Sequence, residues 1–436
     1  MPEGPLTDEQ VRLRHSPGDD DPWRLWGPYL SARQWGTVRE DYSEDGDAWA
    51  HFPFDQAHAR AYRWGEDGIA GLTDRYGFLN LAVAAWNHCD DRLKERLFGL
   101  TNAQGNHGED AKEYWWALDA TPTHSWAQHL YRYPQAAFPY ATLVEENARR
   151  GPDAPEFQLA DTGVLQESRF FDIVTTHAKV TPQDVCLVIE ATNHGPDAAP
   201  LDLVPQLWFR NTWSWGRDDR RPSLRLVDAD DTLAPGTTVI QAEHGWLGRY
   251  VLVAEGAPDV LFCDNETNVA AVFGPDAGAS LSAYPKDGIG RAVVDGDDSG
   301  TNPAATGTKV GLVYRFESVA PGETVRVQLR LRADHQVERP FGRSFAAVLE
   351  DRRREADEFY DTVIPSDVSD EDRHISRRAF AGLNWGKQLY RYSVKEWLDG
   401  DPTGPPAPPG RRARTARNRA WSQLALADVI SMPDEW

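Results

Sequence analysis

From Trp23 to about Phe341 the chain reads as short β-type segments separated by glycine and proline, and this punctuation limits its fold more than any other feature. The apolar run 185–190 ends in Asn193-His194-Gly195-Pro196, and further runs occupy 201–209, 251–253, 269–273, 309–316 and 325–331. Segments of this length, rich in β-branched and aromatic residues and closed by turn formers, predict antiparallel strands that bury their faces against a second sheet, a β-sandwich.

Past residue 341 the period changes. Phe345, Val348, Leu349, Ala356, Phe359 and Tyr360 recur near 3.6 residues, which predicts a helix ended by Pro365. Ser369-Asp370-Glu371-Asp372 resembles a capping box, with a hydroxyl and a carboxylate three apart to satisfy exposed amides. A second helix is expected through Trp397, with Ile375, Phe380, Leu383 and Leu389 turned inward, until the Pro- and Gly-dense loop 399–410. The expected organisation is a polar, disordered lead over 1–22, a sandwich over 23–341, a linker helix over 342–365 and a helical region over 366–436. No internal repeat is visible.

With 46 basic against 68 acidic residues, the net charge of −22 argues against nucleic acid and against anionic membrane surfaces, both of which reward basic stripes. The one dense basic run, from Arg411 to Arg419, follows the Pro-rich loop and reads as a solvated connector. Cys89, Cys186 and Cys263 are far apart and odd in number, so neither a disulfide framework nor a zinc ribbon is indicated. No basic-then-apolar leader opens the sequence, and no run approaches the roughly 18 apolar residues of a membrane span. A soluble, cytoplasmic protein is expected.

Four segments hold more paired polar and aromatic residues than a structural strand requires: 26–42, 62–68, 101–116 and 207–215. Within them Glu40/Asp41, Glu66/Asp67 and Glu109/Asp110 are candidate acid/base carboxylates, the groups that glycoside cleavage needs on either side of a scissile bond. Neighbouring carboxylates on an extended strand point to opposite faces, so a working pair would take members from two segments. The competing reading is ion pairing with Arg33, Arg39, Arg63 and Lys112. His107 and His124 sit in turn-like contexts without a second histidine at ligand spacing, so no metal is expected. The 17 tryptophans, 14 tyrosines and 16 phenylalanines supply core packing and also flat platforms for sugar rings.

These segments resemble the bacterial branch of glycoside hydrolase family 63, the mannosyl-oligosaccharide glucosidase and mannosylglycerate hydrolase group. The strings that carry the resemblance are Leu25-Trp26-Gly27-Pro28-Tyr29-Leu30, Arg33 through Ser43, Ala61 through Gly68, Lys94 through Asp110, Tyr133 through Tyr140, Leu207 through Trp215 and Asn418 through Trp436. The resemblance implies a β-sandwich followed by an (α/α)6 barrel that performs inverting hydrolysis of α-glucosidic or mannosylglycerate-like bonds. Inversion uses carboxyl groups ~6.5–9.5 Å apart, leaving space for a water. By the family pattern both lie after residue 436, so no catalytic residue is assigned and the chain alone is expected to be inactive.

The fold implied is therefore mainly β, a large sandwich followed by the first helices of an incomplete (α/α)6 barrel. Trp421, Asp428, Asp434 and Trp436, with Met432, would lie beside the substrate. The expected partners are an oligosaccharide or small glycoside and the missing carboxy-terminal barrel half, with no cofactor. The alternative is a non-catalytic carbohydrate-binding or scaffold module, which predicts an exposed cluster of Trp208, Trp213 and Trp215.

Overall fold

The computed structural model describes residues 5–15, 21–32, 42–45, 51–97, 113–150, 153–216, 220–227, 236–333 and 340–431. The turn-punctuated stretch forms strands β1 (Trp26–Gly27), β2 (Ile69–Asp74), β3 (Leu79–Trp86), β4 (Tyr114–Ala120), β5 (Trp126–Pro134), β6 (Phe170–Thr181), β7 (Asp184–Asn193) and β8 (Ala199–Phe209). It continues through β9 (Ser223–Val227), β10 (Thr237–His244), β11 (Gly248–Glu255), β12 (Asp259–Cys263), β13 (Thr306–Gly307), β14 (Lys309–Val319) and β15 (Thr324–Ala333). Among the described residues these make two antiparallel sheets, a six-stranded one in the order β1-β2-β3-β8-β14-β12 and a nine-stranded one in the order β13-β9-β10-β11-β15-β7-β6-β5-β4.

Alternation along single strands builds the core. In β7, Val185, Leu187, Ile189 and Ala191 join one apolar cluster with Leu79, Leu81, Leu203 and Leu207 of the other sheet. The intervening Cys186 and Val188 face the opposite way, onto Phe345 and Ala356 of the helix Arg343–Val363. A strand covered on both faces loses its polar alternation, which is why this stretch reads as a continuous apolar run.

Three sequence expectations are corrected. Residues 269–273 are helical, with the Asn268 side chain accepting from Ala271 N as an N-cap, because a cap overrides the weak β preference of so short a run. The lead expected to be disordered contains the helix Asp8–His15, held by buried Glu9, which accepts from Thr123 N at 2.8 Å and Ser125 Oγ at 2.9 Å.

The third and largest correction is the expected beginning of an (α/α)6 barrel over 366–436. The helix Asp370–Trp385 starts at the anticipated Ser369 cap but stops at Gly386. The chain then forms strand β16 (Lys387–Ser393), which pairs antiparallel with β17 (Ala425–Ser431). A short helix, Val394–Asp399, and 3-10 turns lie between them. The β16 backbone is claimed by the sandwich: Leu389 N donates to Tyr29 O at 2.9 Å and Arg391 N to Trp64 O at 3.3 Å. These bonds are open only to an extended chain, so tertiary pairing defeats the helical period. Ala381 and Trp385 are the buried residues of the preceding helix, whereas Ile375 and Leu383, expected inward, are 60% and 49% exposed.

Candidate functional site

The segment 62–68 divides between two environments. Glu66 and Asp67 turn into a closed charge cluster beneath Trp208. Asn265 Nδ2 donates to Glu66 Oε1 at 2.7 Å, and Tyr62 OH donates to Asp67 Oδ2 at 3.1 Å. Arg96 lies 3.3 Å from Asp67 and 3.0 Å from Glu95, which also pairs with Lys309 at 3.0 Å. Burial pushes the Glu66 carboxyl up and the Lys286 ammonium down to about 8. The space these groups enclose is about 10 Å³, about one water and no sugar. Of the three carboxylate pairs singled out from the sequence, this one is a buried ion network. Glu40/Asp41 and Glu109/Asp110, together with Arg33, Arg39, His107 and Lys112, lie outside the described residues.

Arg63 and Trp64, from the same segment, turn instead into a pocket of about 240 Å³. Its aromatic wall is Tyr42, Phe52, Trp64 and Trp397, all buried. Tyr42 and Phe52 stack with ring centroids 5.3 Å apart and planes 13° apart. Phe52 holds a left-handed backbone (φ 50°), uncommon for a bulky side chain and the kind of local strain that surrounding packing must sustain. The Arg60 guanidinium lies 4.3 Å from the Tyr42 ring centroid and 4.8 Å from that of Phe52, a double cation–π contact.

The opposite wall is the proline-rich loop. Gly404 to Pro408 line it, and Asp401 presents a carboxylate 4.0 Å from Arg60 and accepts from Thr403 N at 2.9 Å. Two arginines tie loop to wall. Arg63 Nη1 donates to Glu396 O at 2.7 Å and Nη2 to Gly400 O, while Arg411 donates to Trp397 O at 2.9 Å and to Tyr42 O. Arg411, expected in a solvated connector, is thus a buried strut. Tyr42 OH accepts from Arg63 N at 3.1 Å, and burial pushes its phenol up to about 12, so it stays a neutral hydroxyl. Flat apolar faces beside charged and hydroxyl groups that fix orientation are the composition of a small-molecule site. Asp401 is the one carboxylate lining the pocket among the described residues, which therefore offer no acid/base pair there.

The sequence pointed to Tyr42, Arg63 and Trp64 but missed Phe52, Arg60, Asp401 and Arg411. The available signal was loop 399–410, whose proline and glycine density does more than stop a helix. Trp215, in the fourth segment, stacks under Arg63 at 5.6 Å. The expected exposed tryptophan cluster does not form, since Trp208 is buried and Trp213 is half-buried, donating Nε1–H to Glu266.

Of the residues expected beside the substrate, Asp428 lines a second cleft with Arg24, Tyr29, Arg75, Tyr76 and Lys387. Trp421 is 60% exposed and lines neither cavity. Met432, Asp434 and Trp436 lie outside the described residues. Among the described residues no group of three His, Cys, Asp or Glu side chains is placed to hold a metal ion, and no helix is long and apolar enough to cross a membrane.

No family model matches the chain. It is 39% identical over 469 residues to the uncharacterized protein YMR196W of Saccharomyces cerevisiae, covering 99% of this chain and 42% of that protein. The chain therefore spans less than half the length of the curated relative it matches. Among solved structures it is similar to a putative aldose 1-epimerase from Escherichia coli K12, at 9% identity and a TM-score of 0.25 over 51% of this chain and 69% of that one. A galactose mutarotase related enzyme from Lactobacillus acidophilus gives 7% identity and a TM-score of 0.28 over 63% of this chain and 97% of that one. Likenesses this slight carry no argument about this chain. None of these names includes glycoside hydrolase family 63, so that resemblance rests on the sequence motifs alone.

Proposed function

We propose that this chain is the carbohydrate-recognising part of a glycoside-acting protein. The observation that carries the proposal is the pocket in which Tyr42, Arg63 and Trp64, from strings bearing the family resemblance, meet a proline-rich loop beside Phe52, Trp397, Arg60 and Asp401. Ring faces stack on the apolar faces of a pyranose, while Arg60, Asp401 and the Tyr42 hydroxyl fit the donors and acceptors of its hydroxyls. The finer reading is an α-glucosidic or mannosylglycerate-like ligand, hydrolysed with inversion by carboxylates other than Asp401, the one that lines this pocket among the described residues.

Isothermal titration of the purified chain with methyl α-glucoside, maltose and mannosylglycerate, beside a turnover assay on the same compounds, tests this directly. Binding without turnover, weakened in Arg60→Ala, is the expected result. Binding of none of the three would overturn the carbohydrate reading. Turnover by this chain alone would place working carboxylates within it and refute the non-catalytic role.

A further inference from the structure

A second cavity, of about 530 Å³, opens where β16 and β17 pass the edge strand β1 and the turn after β2. Its lining inverts the charge balance of the chain. In a protein with 68 acidic and 46 basic residues, this cleft gathers Arg24, Arg75 and Lys387 against one carboxylate among the described lining residues, that of Asp428. Tyr29 and Tyr76 supply aromatic surface, and Tyr76, 53% exposed at the rim, has the Arg75 guanidinium 5.7 Å from its ring centroid.

The cations are not equally compensated. Arg24 has Asp21 at 3.6 Å. Lys387 is half-buried, and its contacts are neutral: Nζ lies 3.3 Å from Asn384 Oδ1 and 3.5 Å from His124 Nε2. Burial, reinforced by Lys387, Lys179 and Arg24, pushes His124 well below its usual range, so the imidazole accepts rather than adding charge. Among the described residues no carboxylate lies within ion-pair distance of Lys387. Burial and the neighbouring Arg24 push its ammonium down to about 8. Behind the lining, Lys179 is buried and donates to the carbonyls of Trp26 at 2.5 Å and Thr123 at 3.2 Å. The position of Arg24 is itself fixed, because Tyr29 OH donates to Arg24 O at 2.7 Å. Like charges held together at a half-buried position repel in the protein and attract an anion strongly, and guanidinium groups match planar or tetrahedral oxyanions.

We propose that this cleft binds the oxyanion of a small phosphorylated or carboxylated ligand, with Lys387, Arg75 and Arg24 as the binding cations. Its volume is that of a site for a sugar-sized molecule. The site is separate from the aromatic pocket and does not depend on the reading given for that pocket.

Titration with glucose 6-phosphate, glucuronate and glucose as probes tests the proposal. At least one anion should bind about tenfold or more tightly than neutral glucose. Lys387→Gln should remove most of that difference, and Lys387→Arg should restore it. Tighter binding of glucose 6-phosphate assigns the cleft to phosphoryl groups, and tighter binding of glucuronate to carboxylates. If neither anion exceeds glucose, or if Lys387→Gln binds both as the wild type does, the proposal is wrong. Should Lys387→Gln fail to fold, the wild type still decides. A phosphate ester ionises fully near pH ~6, so its charge is constant above about pH 7. Affinity for glucose 6-phosphate should then fall as pH rises through about 8, because the Lys387 ammonium is lost.

Discussion

Arg63 and Trp64 line the aromatic pocket, while Glu66 and Asp67, two and three residues on, end in the sealed charge cluster. The cluster is the more heavily charged of the two regions, with Glu66, Asp67, Glu95, Arg96, Lys286 and Lys309 around about 10 Å³. Asp67, Glu95, Arg96 and Lys309 pair with one another, and Asn265 donates to Glu66. The pocket holds fewer carboxylates but about 240 Å³ of space, and its arginines brace backbone carbonyls. The lesson is that carboxylate density marks a functional site only where the charges face space instead of each other. Sequence inspection ranked Glu66/Asp67 among the possible acids and bases, and their enclosure assigns them to stability.

That contrast can be broken by removing one charge from each region. Arg96→Ala leaves Asp67 and Glu95 buried with fewer partners and should cost about 3–5 kcal/mol, read as a lower urea midpoint. A loss under about 1 kcal/mol would show that water reaches the cluster and that it is not closed. A second test concerns His129 and His177, buried between the sheets, which burial pushes down to about 3 and about 4. Both bind protons more weakly folded than unfolded, so their contribution is whole above the unfolded value of 6.5 and is lost as pH falls toward 4 and 3. At pH ~5 each should have cost about 2 kcal/mol, and His177→Gln should flatten the acid limb by that amount.

In the pocket the prediction separates binding from stability. Arg60→Ala removes a cation–π stack and a 4.0 Å ion pair, and should weaken α-glucoside binding about tenfold, near 1.4 kcal/mol, while the urea midpoint hardly moves. A large stability loss with unchanged affinity would make the pocket a second structural cluster. The smallest effect is expected outside both regions: Arg149→Ala, which breaks the exposed pair with Glu146 at 2.6 Å, should leave the midpoint unchanged within error.

Much of the strand layout was legible. The runs at 185–190, 201–209, 309–316 and 325–331 fall in β7, β8, β14 and β15, because apolar runs bounded by turn formers carry their own local signal. The helix Arg343–Val363 and the Ser369 cap were legible for the same reason, since helical period and capping hydrogen bonds are local. The candidate site was legible in part: Tyr42, Arg63 and Trp64 stood out as polar-aromatic strings, but Arg60, Phe52 and Asp401 did not. Nothing near Arg60 in sequence announces that a loop some 340 residues later closes over it.

What the sequence determined by itself is the set of interactions that span a few residues: turns, strand alternation, helix period and caps. Only the tertiary structure decided the rest. Residues 387–393 became a strand because Tyr29 O and Trp64 O accept their backbone hydrogen bonds, and Glu66 and Asp67 were sealed by Lys286, Arg96 and Asn265 from distant segments. The physical reason is range. A backbone donor or a carboxylate is satisfied by whichever partner the fold delivers, and partners hundreds of residues away leave no trace in the neighbouring sequence.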